Sequence, residues 1–200
     1  MKTGELRYRE RCIDKLGYRF RGDERLLDVG CGDGGVARLL RERVREVVAV
    51  DIEPSVGWQD GDGLRFMVAD GEHLPFGDEE FDLVHSKDSL HHMERPERAV
   101  AEYHRVLKFA GAALIVESNR YNPIFFVHMT KMLGHEHFPR QRFHSLVWST
   151  FDDVRFGSFE AHYVPWGEQL LPVQHAVEEL LERMPVASRL VSYNFGIATR

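Results

Sequence analysis

Three glycines spaced two apart, Gly30, Gly32 and Gly34, follow the run Leu26-Leu27-Asp28-Val29 and precede a helical pattern that begins near Val36. An apolar strand feeding a glycine turn that opens a helix is the beginning of a nucleotide-binding βαβ unit. Glycine lets the backbone bend sharply there and lets a ligand approach without meeting a Cβ. The spacing is G-x-G-x-G, whereas dinucleotide folds read G-x-G-x-x-G and bring a pyrophosphate onto a helix N-terminus.

Two further clusters carry chemistry. Asp51 ends the apolar run Val47-Val48-Ala49-Val50, some 20 residues beyond the glycines, where nucleotide folds place an acid on the ribose hydroxyls. A carboxylate accepts two hydrogen bonds from a vicinal diol. The chain also holds eleven histidines, among them His91-His92 and the group His128, His135, His137 and His144. The 128–144 group offers imidazoles to a metal ion, but no cysteine accompanies it and its spacing matches no zinc pattern.

The glycine turn with Asp28 resembles motif I of the class I S-adenosylmethionine-dependent methyltransferases, of the small-molecule type grouped as methyltransferase domain 11. Further motifs follow in the same order. They are Asp51-Ile52, then Asp70-Gly71-Glu72 with Leu74-Pro75-Phe76, then Phe81-Asp82-Leu83-Val84-His85-Ser86 running into Leu90-His91-His92. The resemblance is continuous from Leu26 to Glu117 and implies S-adenosyl-L-methionine as cofactor. It implies that Gly30, Cys31, Gly32 and Gly34 cradle the methionine end, whose ammonium and sulfonium suit a carboxylate such as Asp28 or Asp33. It places Asp51 on the ribose, Ile52 on the adenine face, Asp70 and Gly71 at the adenine edge, and His85 and Ser86 at the end of the fourth strand. The loop after that strand faces the transferred methyl, with His92 and Tyr121 as candidate catalytic residues. A leading helix closes over the cofactor, with Arg7 and Tyr8 as candidates for its carboxylate.

These residues need a scaffold that gathers strand ends. The pattern reads as strands over Arg25–Val29, Glu46–Asp51, Arg65–Asp70, Phe81–Ser86 and Ala112–Glu117, alternating with helices over Val36–Arg43 and from Pro96 to Phe109. A first helix from Thr3 to Phe20 precedes them. Such alternation predicts an α/β fold, a doubly wound, mostly parallel sheet between two helical layers. Ligands bind these sheets at the carboxyl ends of the strands. Beyond Glu117 the pattern gives an apolar helix over Ile124–Leu133, a polar loop over 135–144 and a short helix over Ser145–Val154. A strand over Ser158–Val164, a helix over Val173–Met184 and a strand over Tyr193–Thr199 complete it. The resemblance implies a Rossmann-like sheet of order 3-2-1-4-5-7-6 with the last strand antiparallel. The chain reads as a single domain over 1–200. It comprises an N-terminal helix (1–24), a cofactor core (25–118), a substrate-side lid (119–157) and a sheet completion (158–200).

Composition narrows the partners. Net charge is −6, and Arg65 is the one lysine or arginine between Asp51 and Asp82. A polyanion wants a basic face, so nucleic acid is disfavoured. Two cysteines, Cys12 and Cys31, fit a reducing compartment and a cytoplasmic protein. No apolar run reaches the roughly 18 residues of a membrane span, and Met1–Arg11 has no apolar h-region. The reading is methyl transfer by direct in-line displacement to a small-molecule acceptor. The lid pairs an apolar part (Tyr121, Phe125, Phe126, Met129) with a cationic part (Lys131, Arg140, Arg142), which points to a partly apolar, anionic acceptor. The alternatives are a metal-dependent enzyme using 128–144 and a non-catalytic cofactor-binding module; a nicotinamide oxidoreductase is disfavoured by the glycine spacing. Oligomeric state and the accepting atom stay open.

Overall fold

The computed structural model describes residues 3–123, 137–161, 170–185 and 187–200. Seven strands form one sheet: β1 (Arg25–Val29), β2 (Glu46–Asp51), β3 (Leu64–Val68), β4 (Phe81–Lys87), β5 (Leu107–Ser118), β6 (Asp153–Phe159) and β7 (Tyr193–Thr199). Their order is β3-β2-β1-β4-β5-β7-β6. The first five pair in parallel, and β7 runs antiparallel to both β5 and β6. Among the described residues the helices are α1 (Thr3–Asp14), α2 (Gly35–Arg41), α3 (Pro96–Val106), α4 (Arg140–Trp148) and α5 (Leu171–Arg183).

The continuous apolar runs of β1 and β2 follow from burial on both faces. Successive strand residues point to opposite sides. Leu26, Val47 and Ala49 therefore join Cys12 and Ile13 of α1 and Ala37 and Leu40 of α2 in one core. Leu27, Val48 and Val50 join Val100 and Tyr103 of α3 and Phe143 of α4 in the other. Each fully buried Leu or Val contributes roughly 1.5–3 kcal/mol. The two cores sandwich the sheet and hold its carboxyl edge still.

Several boundaries differ from the sequence expectation. α1 stops at Asp14 rather than Phe20, because Gly17 turns the chain at φ +58°. β3 ends at Val68, and Asp70 instead bridges to His73 in a tight turn. α3 gives way at Val106 directly to β5, since Leu107 is fully buried and pairs with Phe81. The expected loop over 135–144 is helical from Arg140, where Phe143 plugs into the core. The expected helix over Ser145–Val154 ends at Trp148, and β6 starts at Asp153, within the expected lid. The helix expected over 124–133 lies outside the described residues, as do 162–164. Cys12 and Cys31 are both buried thiols outside any disulfide. Among the described residues no helix is long and apolar enough to cross a membrane.

Candidate active site

The glycine turn joins β1 to α2 with Gly30, Gly32 and Gly34 at φ +76°, +54° and +78°, the left-handed region. Crowding reinforces two of them. A Cβ on Gly30 would drive into the Ser89 side chain, and one on Gly34 would lie 2.5 Å from the Phe66 ring. At Gly32 no described residue lies within 4 Å of that position. The Gly30 and Cys31 N–H groups donate to Val50 O at 2.9 and 3.0 Å, which leans the turn on β2. The Gly32 N–H donates to Asp51 Oδ2 at 2.8 Å, and Trp58 Nε1 donates to Gly32 O at 2.7 Å. Trp58 stacks on Phe66 at 5.4 Å, bracing the turn.

Beside the turn opens a cavity of about 540 Å³, whose lining includes Tyr8, Arg9, Asp28, Gly32, His85 and Lys87. Asp28 and His85 are register partners on β1 and β4, and both are buried. His85 Nδ1 lies 2.7 Å from Asp28 Oδ1, with the carboxylate as acceptor. Asp28 Oδ2 is buried with no hydrogen-bond partner among the described residues. Such a group costs about 1–3 kcal/mol or more when unmet. A cationic ligand group in the cavity would satisfy it.

α1 covers the turn through Arg9, whose guanidinium grips Asp33 at 2.5 and 2.9 Å and Glu5 at 2.5 Å. The hydrogen bond from Arg9 holds the Asp33 carboxyl below its ordinary range. Asp33 also caps the Gly35 N–H at 2.9 Å, so its oxygens are taken and Asp28 carries the open one. Arg7 is exposed on α1, whereas Tyr8 and Arg9 line the cavity.

Of the residues expected at the cofactor, Asp28, Gly30, Cys31, Gly32 and His85 line this one cavity. Burial, followed by the charge of Asp28, raises the Cys31 thiol far above its ordinary value, which keeps it protonated. Asp51 is tied to the turn, and Ile52 beside it is 68% exposed. Asp70 folds back on its own turn, accepting from Glu72 N at 2.8 Å and meeting His73 Nδ1 at 3.1 Å. Gly71 is buried where a Cβ would come within 2.7 Å of Met93. Ser86 does not join the cavity: it points to the other face of β4, its Oγ bonded to Ser89 Oγ and the Tyr103 hydroxyl. His92 and Tyr121 are exposed and also lie outside the cavity lining.

A polar network continues from the cavity through Asp88. Glu117 Oε1 accepts from the Ser89 and Leu90 N–H groups at 3.1 and 2.8 Å, and Oε2 meets His91 Nδ1 at 2.6 Å. Asp88 Oδ1 accepts from Ser118 N and Oγ, while its Oδ2 takes the Lys87 ammonium. Asp88, His91 and Glu117 bring potential metal-binding atoms within 4.8 Å of one another. Their carboxylate oxygens are nonetheless committed to N–H and O–H donors, one of them a cation. The 128–144 alternative is not favoured: His144 stacks on Phe156 at 3.9 Å and His137 packs against His91 at 4.4 Å. His128 and His135 lie outside the described residues. Arg9, Trp58, Lys87, Asp88 and Glu117 had no place in the sequence-derived site, and His91 entered it only through the Leu90-His91-His92 motif.

The profile of the methyltransferase domain family matches residues 27–115, from β1 through β5. Over that core the chain resembles the class I S-adenosylmethionine-dependent methyltransferases. S-adenosylmethionine, the cofactor of those enzymes, carries an ammonium that would suit the open Asp28 oxygen. The methyltransferase YcgJ of Bacillus subtilis is 33% identical over 48% of this chain and 42% of its own length. This chain thus spans less than two thirds of that relative. The demethylmenaquinone methyltransferase of Thermus thermophilus is 26% identical over 97% of this chain and 87% of its own. A SAM-dependent methyltransferase from Archaeoglobus fulgidus shares the fold with a TM-score of 0.70 at 18% identity, covering 98% of this chain and 94% of that one.

Proposed function

We propose that this chain transfers a methyl group from S-adenosylmethionine to a small-molecule acceptor. The observation that carries the reading is the cavity beside Gly32, with a buried carboxylate oxygen of Asp28 that meets no donor among the described residues. When bound, the cofactor supplies a sulfonium-activated methyl open to direct in-line displacement. The chain's own residues supply alignment, and orientation of bound reactants is worth about 7–11 kcal/mol.

Asp28 takes the ligand's ammonium, and the backbone of Gly30, Cys31, Gly32 and Gly34 lets the ligand approach. Asp51 holds the turn through Oδ2 and receives the ribose hydroxyls. Ile52, Asp70 and Gly71 bound the adenine, and His85 floors the site. His92 and Tyr121 border the acceptor, where His91, oriented by Glu117, is a second base candidate. The acceptor is a partly apolar, anionic small molecule, and the Thermus relative's name supports its apolar part. Two buried thiols and the acidic composition suit a cytoplasmic enzyme without a nucleic-acid partner.

The test is calorimetric titration with S-adenosylhomocysteine, followed by a labelled-methyl screen of metabolite extracts. Binding with transfer to one acceptor supports the reading. Binding without transfer to any extract component leaves a cofactor-binding module, and absence of binding sinks the assignment.

A further inference from the structure

Lys87 closes β4 two residues beyond His85 and lines the same cavity. Its side chain is only 15% exposed, unusual burial for a lysine. The ammonium donates to Asp88 Oδ2 and, at 3.3 Å, to the Tyr193 hydroxyl. It stands 4.5 Å from the Tyr193 ring centre and 5.8 Å from that of Tyr8, whose hydroxyls are hydrogen-bonded to each other. Burial pulls the Lys87 pKa down, but Asp88 together with Tyr193, Tyr8 and Cys12 outweighs it, and the pKa is held well above the ordinary value. Burial also raises both phenols, which keeps them neutral.

Asp88 adopts φ +52°, a left-handed conformation that costs a non-glycine residue about 1–3 kcal/mol. That turn sets its carboxylate between the Ser118 donors and Lys87. The other cavity charges are already engaged: Arg9 with Glu5 and Asp33, and one oxygen of Asp28 with His85. An ammonium has three protons, and Asp88 and Tyr193 take two. Among the described residues the cavity therefore still offers a cationic donor at Lys87 and a buried anionic oxygen at Asp28.

We propose that Lys87, bracketed by Tyr8 and Tyr193, is an oxyanion seat that receives a carboxylate, phenolate or enolate oxygen. This deepens the methyl-transfer reading and rests on it. The oxygen has two sources, the carboxylate of the cofactor's amino-acid end or an anionic oxygen of the acceptor. The opposite charge left open at Asp28 matches a zwitterionic amino-acid group and favours the first.

The test uses Lys87→Met and the charge-balanced pair Lys87→Met with Asp88→Asn, which avoids leaving a buried carboxylate without its counter-ion. Folding of each is checked by near-UV circular dichroism. Calorimetry compares S-adenosylhomocysteine with methylthioadenosine, which keeps the nucleoside and sulfur but lacks the amino-acid end. If the cofactor is the source, S-adenosylhomocysteine weakens about tenfold or more and methylthioadenosine is unchanged. If the acceptor is the source, both keep wild-type affinity while benzoate and nitrophenolate no longer bind the S-adenosylhomocysteine complex. Wild-type affinity for every probe overturns the proposal, and so does equal weakening of both nucleosides. Failure of the wild type to bind S-adenosylhomocysteine would instead refute the methyltransferase reading, and this seat with it.

Discussion

Glu117 Oε2 lies 2.6 Å from His91 Nδ1, and the two side chains are 1% and 2% exposed. Burial works against an imidazolium, yet the hydrogen bond and charge of Glu117 prevail and raise the His91 pKa above its ordinary value. Folded His91 thus holds its proton more tightly than the unfolded chain does. The pair contributes fully below about pH 6.5 and loses its contribution as pH rises through the higher folded value. Thermal melts across that range should show stability falling as pH rises, and Glu117→Gln should flatten the slope. An NMR titration of His91 that ends below the free-histidine value would contradict this pairing.

Gly32 and Gly30 share a backbone conformation but differ in surroundings. Gly32→Ala meets no neighbour, so its cost is the left-handed conformation, about 1–2 kcal/mol. It should fold and bind S-adenosylhomocysteine poorly, because the new Cβ points into ligand space. Gly30→Ala collides with Ser89 and adds overpacking of about 1–3 kcal/mol. Chemical denaturation beside calorimetry separates the two: the first variant should fail mainly in binding, the second mainly in stability.

Asp51→Ala removes the acceptor for the Gly32 N–H together with the carboxylate assigned to the ribose. The expected loss is about 1.5–3 kcal/mol of cofactor affinity, with Asp51→Asn losing less. Unchanged affinity in the alanine variant would remove Asp51 from the site.

Arg140 was read from sequence as a lid cation for an anionic acceptor. In the fold it donates to Ser158 Oγ at 2.7 Å, joining α4 to β6, while Arg142 lies 5.1 Å from the Phe138 ring. Arg140→Ala should lower stability by about 0.5–1.5 kcal/mol, shared with Ser158→Ala in a double-mutant cycle. A rise in acceptor KM at unchanged stability would restore the lid role.

The legible parts of the chain are those where one physical constraint dominates. β2 reads correctly because burial on both faces demands an unbroken apolar run such as Val47-Val48-Ala49-Val50, and β1 and β7 keep enough of that pattern to be found despite buried Asp28 and Asn194. β6 was displaced because its sequence, DVRFGSF, is only partly buried and carries Gly157, against which the Phe195 ring packs. α1 read too long because Tyr18 and Phe20 continue the apolar stripe while Gly17 breaks the helix. In the site, the glycine turn and its acids follow spacing rules that a sequence displays. Lys87 and Glu117 do not: a lysine or glutamate at a strand end is ordinarily solvated, and only the packing of Tyr8 and Tyr193, or the amides of Ser89 and Leu90, shows otherwise.

The hydroxyl contact between Tyr8 and Tyr193 joins residues 185 positions apart. One wall of the cavity therefore exists only after α1 has docked and β7 has slotted between β5 and β6. Long-range closure of this kind comes late in folding. A ligand that recognises that wall reports completed topology, and in refolding its signal should track the slowest phase. By mass action it also acts as a clamp on that topology, adding about 2.7 kcal/mol at a concentration a hundredfold above its Kd.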